Sequence, residues 1–212
     1  MENKPWANVA PLTNITIGLM ILTQWSMLTG KTGEYTNITL LPWLLPAFFL
    51  VFVLVVLEFK QGLLIDATMN GLLGIVLMGQ GIFKGFLMLN GLNHGITFPP
   101  EYMAASAAVA SVGFLIPVFL LFIAGLLSFM GFSRTMGVCV WLCALGFLGV
   151  AITNFTGNVM FAGLGGFGLI IMGIWLTYLG LAQILNESTG KTILPIGKPA
   201  MAPPEKGQSI AA

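Results

Sequence analysis

Charged side chains are almost missing from this chain. Only 7% of its 212 residues are Asp, Glu, Lys or Arg, against 57% hydrophobic. A soluble domain carries roughly a quarter charged residues, so most of this surface cannot lie in water. Eight basic residues balance seven acidic ones, and a near-neutral chain gives no sign of a nucleic-acid partner. The single histidine, His94, falls in a loop between apolar runs, which excludes a buried histidine relay. No Arg or Lys sits in the middle of an apolar run, so a tightly held dicarboxylate would lack its usual cation. The two cysteines, Cys139 and Cys143, are four apart inside an apolar run and share a helix face. That spacing is neither a disulfide framework nor a zinc pattern; it reads as small residues packed between helices. No paired acids, nucleophile–base set or metal cluster lies within reach along the chain, so no enzyme, cofactor or metal is expected. Strand-period alternation is also missing, which argues against a barrel. The first apolar run is interrupted by Thr and Asn and lacks a small-residue cleavage site. It reads as a membrane helix rather than a secretory signal.

What is present is a series of apolar runs, each near the 20 residues that cross a hydrocarbon core. The expectation is an all-α integral membrane protein of six transmembrane helices. The spans are 11–29, 40–57, 63–83, 103–130, 136–152 and 159–185. Residues 1–190 form one transmembrane domain, and 191–212 a polar, proline-bearing, flexible tail. The first span is the most polar and the second the most apolar. Six spans put both termini on one side, with Lys4, Lys60, Arg134, Lys191, Lys198 and Lys206; Lys31 and Lys84 fall on the other. The excess of positive charge predicts cytoplasmic termini, with Lys84 snorkelling outward from the end of the third span. The expected location is the inner (plasma) membrane, multi-pass, with lipid around it.

Polar groups recur inside the spans or at their ends: Asn14, Thr68, Asn70, Gln80, Asn154, Thr156, Asn158 and Gln183. Each must find a partner in backbone, another side chain or water. One alone reads as interhelical glue; their number makes a water-filled path plausible. Two carboxylates lie near the membrane interior. Glu58 ends the second span and Asp66 lies about one turn into the third, and both are expected close to the cytoplasmic interface. An intramembrane acid is a functional hypothesis by default, but Asp66 also suits a helix N-terminus. Asn154 and Asn158, four apart, are expected on one helix face at the outer mouth. Pro11 suits the first turn of a helix, and Asn8 can cap that helix or face a vestibule. A pore without a buried cation handles its solute by neutral polar groups, backbone and helix dipoles.

Three stretches carry a resemblance. Residues 7–12 read Ala-Asn-Val-Ala-Pro-Leu, residues 57–62 read Leu-Glu-Phe-Lys-Gln-Gly, and residues 185–197 read Leu-Asn-Glu-Ser-Thr-Gly-Lys-Thr-Ile-Leu-Pro-Ile-Gly. In order and placement against six spans, the chain resembles the acetate uptake transporter family, of the bacterial succinate–acetate permease type. The resemblance implies a homo-hexamer with a solute path in each subunit, and passage of acetate and similar short carboxylates, proton-coupled or channel-like. It implies an apolar constriction made by an aromatic, a tyrosine and a leucine. Those positions fall on Ile17, Leu73 and Cys143 here, which would leave the neck apolar but wider. It also places Asn8, Ala10, Pro11, Leu12, Asn14, Glu58, Asp66 and Thr68 in or near the motif and vestibule region. Other departures are Val9 for a proline, Thr13-Asn14 for Gly-Leu, 47–51 for Gly-Gly-x-x-Gln, and 63–66 for Asn-Thr-Phe-Gly. The competing readings are a channel for a neutral solute such as urea or a short amide, and a non-transporting membrane sensor or assembly protein.

Overall fold

The computed structural model describes residues 7–29, 32 and 36–200. Lys4, Lys31 and Lys206 lie outside the described residues, as does the tail beyond 200. Six helices follow one another: α1 (Ala10–Leu28), α2 (Thr36–Lys60), α3 (Leu64–Asn93), α4 (Pro100–Gly131), α5 (Arg134–Thr156) and α6 (Val159–Thr189). There is no strand among the described residues. Helices α2 to α6 are each long and apolar enough to cross a membrane. Their outward faces are apolar too: Trp43, Phe52, Phe83, Val109, Ile116, Phe119 and Phe167 are all exposed. Such a surface is at home only in lipid or against other apolar protein. The chain is a multi-pass, all-helical membrane protein.

Helix α1 falls short of that apolar threshold, and packing explains why it can. It lies between α2 and α6, with Thr13, Asn14, Thr16 and Gln24 buried. The Thr13 and Thr16 hydroxyls donate to the carbonyls of Val9 and Leu12, 3.2 and 2.9 Å away. These polar side chains are thus kept from lipid.

Helix α3 runs ten residues past the expected end at 83. Its last turns are rich in glycine and asparagine, a poor lipid face but a good packing face. A Cβ at Gly85 would fall 2.7 Å from the Asn37 carbonyl, so α2 approaches α3 backbone to backbone. The loop before α4 shrinks accordingly to 94–99. Within α3 the stretch Gly71–Leu77 winds as a π-helix, a local widening common at functional sites.

Around the bundle the contacting order is α3–α2–α1–α6–α5–α4. The ring does not close evenly, because α3 touches α4 substantially only through its first turns, Leu64–Asn70. The gap between these two helices makes room for the site described below.

The first ten residues after Gly190 are pinned, in contrast to the loose tail expected from 191. Asn186 Oδ1 accepts from the amides of Ile193 and Leu194 at 2.7 and 3.0 Å, and its Nδ2 donates to the Leu194 carbonyl at 2.8 Å. Tyr178 donates to Pro195 O at 2.8 Å, and the Ala200 amide to Phe129 O at 2.9 Å. The three stretches that carried the resemblance meet here. Asn8 Nδ2 donates to Glu187 at 2.7 Å while Gln61 Nε2 donates to the Ala7 carbonyl at 2.6 Å. They form one hydrogen-bonded knot at one end of the bundle, joining the segments at 7–8, 61 and 186–195. Replacing Asn186 with alanine removes three bonds of this strap. The expected cost is about 1–3 kcal/mol, with faster proteolytic cleavage after residue 190 in detergent. An unchanged cleavage pattern would show that the strap is held by other contacts.

Candidate solute pathway

Two vestibules open at opposite ends of the helix bundle. The one at the terminal end has a volume of about 490 Å³ and is lined by Asn14, Asp66, Ser128, Met136 and Gln183, among others. The far-end vestibule, about 720 Å³, is lined by Gln24, Asn37, Gln80, Lys84, Phe147 and Asn154, among others. The far-end vestibule lies in the gap between α3 and α4, and the terminal-end one beside the first turns of α3, where the two helices touch. Between them is a cavity of only about 10 Å³, walled by Ile17, Met20, Ile21, Gln24, Leu73, Leu77, Met78 and Phe147. That is room for roughly one water. A mostly apolar, tightly packed layer thus separates the two vestibules; it is called the plug below.

The plug follows from helix geometry. Ile17, Met20, Ile21 and Gln24 stand at i, i+3, i+4 and i+7 on α1, one face of a helix. Leu73 and Leu77 are four apart in the π-wound part of α3, and Phe147 faces them from α5. A Cβ at Gly74 would run into Val51 and lie 3.5 Å from Ile17 Cδ1, so α1, α2 and α3 converge tightly at this level. The Phe147 ring stacks on Phe114, centroids 5.8 Å apart and planes 26° apart, which fixes it in the wall.

Of the three expected constriction residues, Ile17 and Leu73 wall the plug cavity. Cys143 is fully buried in the core and lines none of the three cavities. The side chain that α5 brings to the plug is Phe147, one turn further along. The aromatic absent from α1 and the phenol absent from α3 are thus matched by a ring on α5. Sequence reasoning missed Met20, Ile21, Gln24, Leu77, Met78 and Phe147. The spacing from Ile17, Leu73 and Cys143 would have found most of them.

At the terminal end, Asn14 donates to Gln183 Oε1 at 3.1 Å, and both line the vestibule with half-buried Asp66. Glu58 is fully buried, with Asn70 Nδ2 donating to both its carboxylate oxygens at 3.1 Å. Neither Glu58 nor Thr68 lines a cavity; Thr68 is exposed and donates to its own helix at Leu64 O, 2.8 Å. Asn8 caps α1, its Oδ1 accepting from the Ala10 amide at 3.1 Å. Ala10 and Pro11 are buried, with Pro11 packed on α6 at Gly180, whereas Leu12 is exposed.

At the far end, Asn154 lines the vestibule, but Asn158 does not share its helix face. Gly157, at φ +73°, ends α5 after Thr156, and Asn158 instead caps α6 by accepting from the Met160 amide at 3.1 Å. Lys84 is exposed at this mouth and is the one charged residue lining it.

No family model and no curated protein matches the chain. Among solved structures, the bacterial acetate channel SatP superposes with a TM-score of 0.60 at 23% identity, over 91% of this chain and all of that one. The chain has the fold of that channel.

Proposed function

We propose that this protein is a divergent member of the acetate uptake transporter family. In this reading it passes acetate, or a similar small monocarboxylate, through each subunit as a channel or secondary transporter. The observation that carries this is the pair of vestibules separated by an apolar plug, in the fold of an acetate channel. The solute enters the far-end vestibule past Lys84, whose charge raises the local anion concentration. It crosses the plug at Ile17 and Leu73 when those side chains give way, and leaves past Asn14 and Asp66. The termini lie in the cytoplasm, the protein sits in the inner membrane, and six copies assemble side by side through their apolar flanks.

An apolar plug costs an ion its hydration, and costs a neutral acid much less. Acetate uptake into proteoliposomes is therefore expected to rise as external pH falls, with membrane potential clamped, and to exceed that of empty liposomes at every pH. Flat uptake from neutral to mildly acidic pH would sink proton-linked passage. No uptake by folded protein would sink the acetate reading as a whole. A second reading is favoured by the amides of Asn37, Gln80 and Asn154 in the far vestibule: passage of a neutral amide. It requires liposomes in isotonic acetamide to swell faster than acetate enters.

A further inference from the structure

Among the described side chains, two buried polar atoms have no hydrogen-bond partner: Gln24 Nε2 and Asn37 Oδ1. Both residues line the far-end vestibule. The polar residues of the opposite vestibule are different, since Asn14 and Gln183 bond each other. Unpartnered buried donors are rare in folded proteins and call for a reason.

Gln24 has a particular position. It is the polar end of the α1 face that begins with Ile17, and it alone among polar residues borders both the plug cavity and the far-end vestibule. Its side chain is 7% exposed. A Cβ at Gly81 would lie 4.0 Å from Gln24 Nε2 and 3.1 Å from Leu44 Cδ1, so the amide lies over a glycine that leaves it space. Asn37 is too far along to share a small ligand with it. Its Nδ2 contacts Met88 Sδ at 3.6 Å, and Met88 is seven residues beyond Gly81, roughly 10 Å of helix rise.

We infer that Gln24 is the solute's hydrogen-bond donor at the far-end entrance to the plug, and that its unspent N–H selects solutes carrying a carbonyl or carboxyl oxygen. Rotation about the side-chain torsions carries the amide from its occluded position towards either cavity. A solute leaving water at this point loses hydrogen bonds to its oxygen, and the Gln24 N–H replaces one of them. Solutes that only donate, such as methylammonium, gain nothing from it. The preference is for an oxygen acceptor over a cation, and it holds for acetate, acetic acid and acetamide alike. This inference rests on the proposed solute path.

The test is binding of acetate to detergent-solubilised full-length protein by saturation-transfer NMR, with methylammonium as the contrasting probe. Wild type is expected to bind acetate and not methylammonium. Gln24→Met, close in volume but without the donor, is expected to bind acetate at least about tenfold more weakly. Its thermal midpoint should stay level or rise, because an apolar group replaces an unpaired one. Gln24→Glu should weaken acetate binding further by charge repulsion. Unchanged acetate binding in Gln24→Met, or no acetate binding by wild type, overturns the inference. So does a large fall in midpoint in both variants, which would assign Gln24 to the fold. Acetate uptake by wild type with unchanged binding in Gln24→Met would leave the transport reading standing without Gln24. Gln24-dependent binding with no uptake would leave the site standing without transport.

Discussion

Leu73→Ala is expected to raise acetate flux through the subunit by about tenfold or more, and Leu73→Trp to bring it down to that of empty liposomes. The reasoning is steric first. The space between Ile17, Leu73 and Phe147 admits roughly one water, so any solute must displace side chains to cross. Removing three carbons from Leu73 joins the small cavity to its neighbours and lowers the cost of opening; each ~1.4 kcal/mol off that barrier is tenfold in rate. The same truncation costs about 2–5 kcal/mol of stability, as other buried Leu→Ala changes do. Flux and thermal midpoint should therefore move in opposite directions, which a merely damaged protein would not show. Adding Ile17→Ala should increase flux further, because Ile17 lies against α3 from the opposite wall. If Leu73→Trp still conducts as wild type does, the path does not run through this plug.

The residues that made the family resemblance visible are not the ones that form the plug. Asn8, Gln61, Asn186 and Glu187 tie the chain ends together at the terminal end of the bundle. Their geometry has narrow tolerance, because these side chains must meet particular backbone groups or one another. The plug needs only apolar volume on converging faces, and many residues supply it. Of Ile17, Leu73 and Cys143, the first two line the small cavity between the vestibules. Cys143 is buried in the core, and Phe147, one turn further along α5, lines that cavity.

Glu58 shows another limit of one-dimensional reading. At the end of an apolar run it reads as an interfacial acid. The structure folds α3 back so that Asn70, twelve residues later, reaches both of its oxygens. Nothing local in the sequence announces that pairing. Helices α2 to α6, by contrast, were legible from hydropathy alone, and α1 as a shorter apolar run interrupted by Thr and Asn. Their ends were less so: α3 continues through Gly85 and Asn90, where it packs against α2 and borders the far-end vestibule.

The largest stability effect is expected at the α5–α6 seam, from Gly165→Leu. A Cβ at Gly165 would lie 2.6 Å from the Gly146 carbonyl oxygen and 3.2 Å from its Cα. Those neighbours are backbone, so no side chain can swing aside. Gly146 is in the same position reciprocally, with the Gly165 carbonyl 2.9 Å from its own would-be Cβ, and Gly168 meets the Leu142 carbonyl. Membrane helices gain little from burying apolar surface, because lipid is as apolar as leucine; close backbone approach supplies the association instead. A leucine here forces the two helices apart along the seam. The cost should exceed the ~1–3 kcal/mol of ordinary overpacking, and the expected readout is loss of a folded, monodisperse protein in detergent. Gly163 provides the contrast on the same helix. A Cβ there meets nothing within 4 Å, so Gly163→Ala should leave stability level or raise it by up to ~1 kcal/mol through helix propensity. Equal damage from both substitutions would mean that glycine is required along this helix for flexibility rather than for contact.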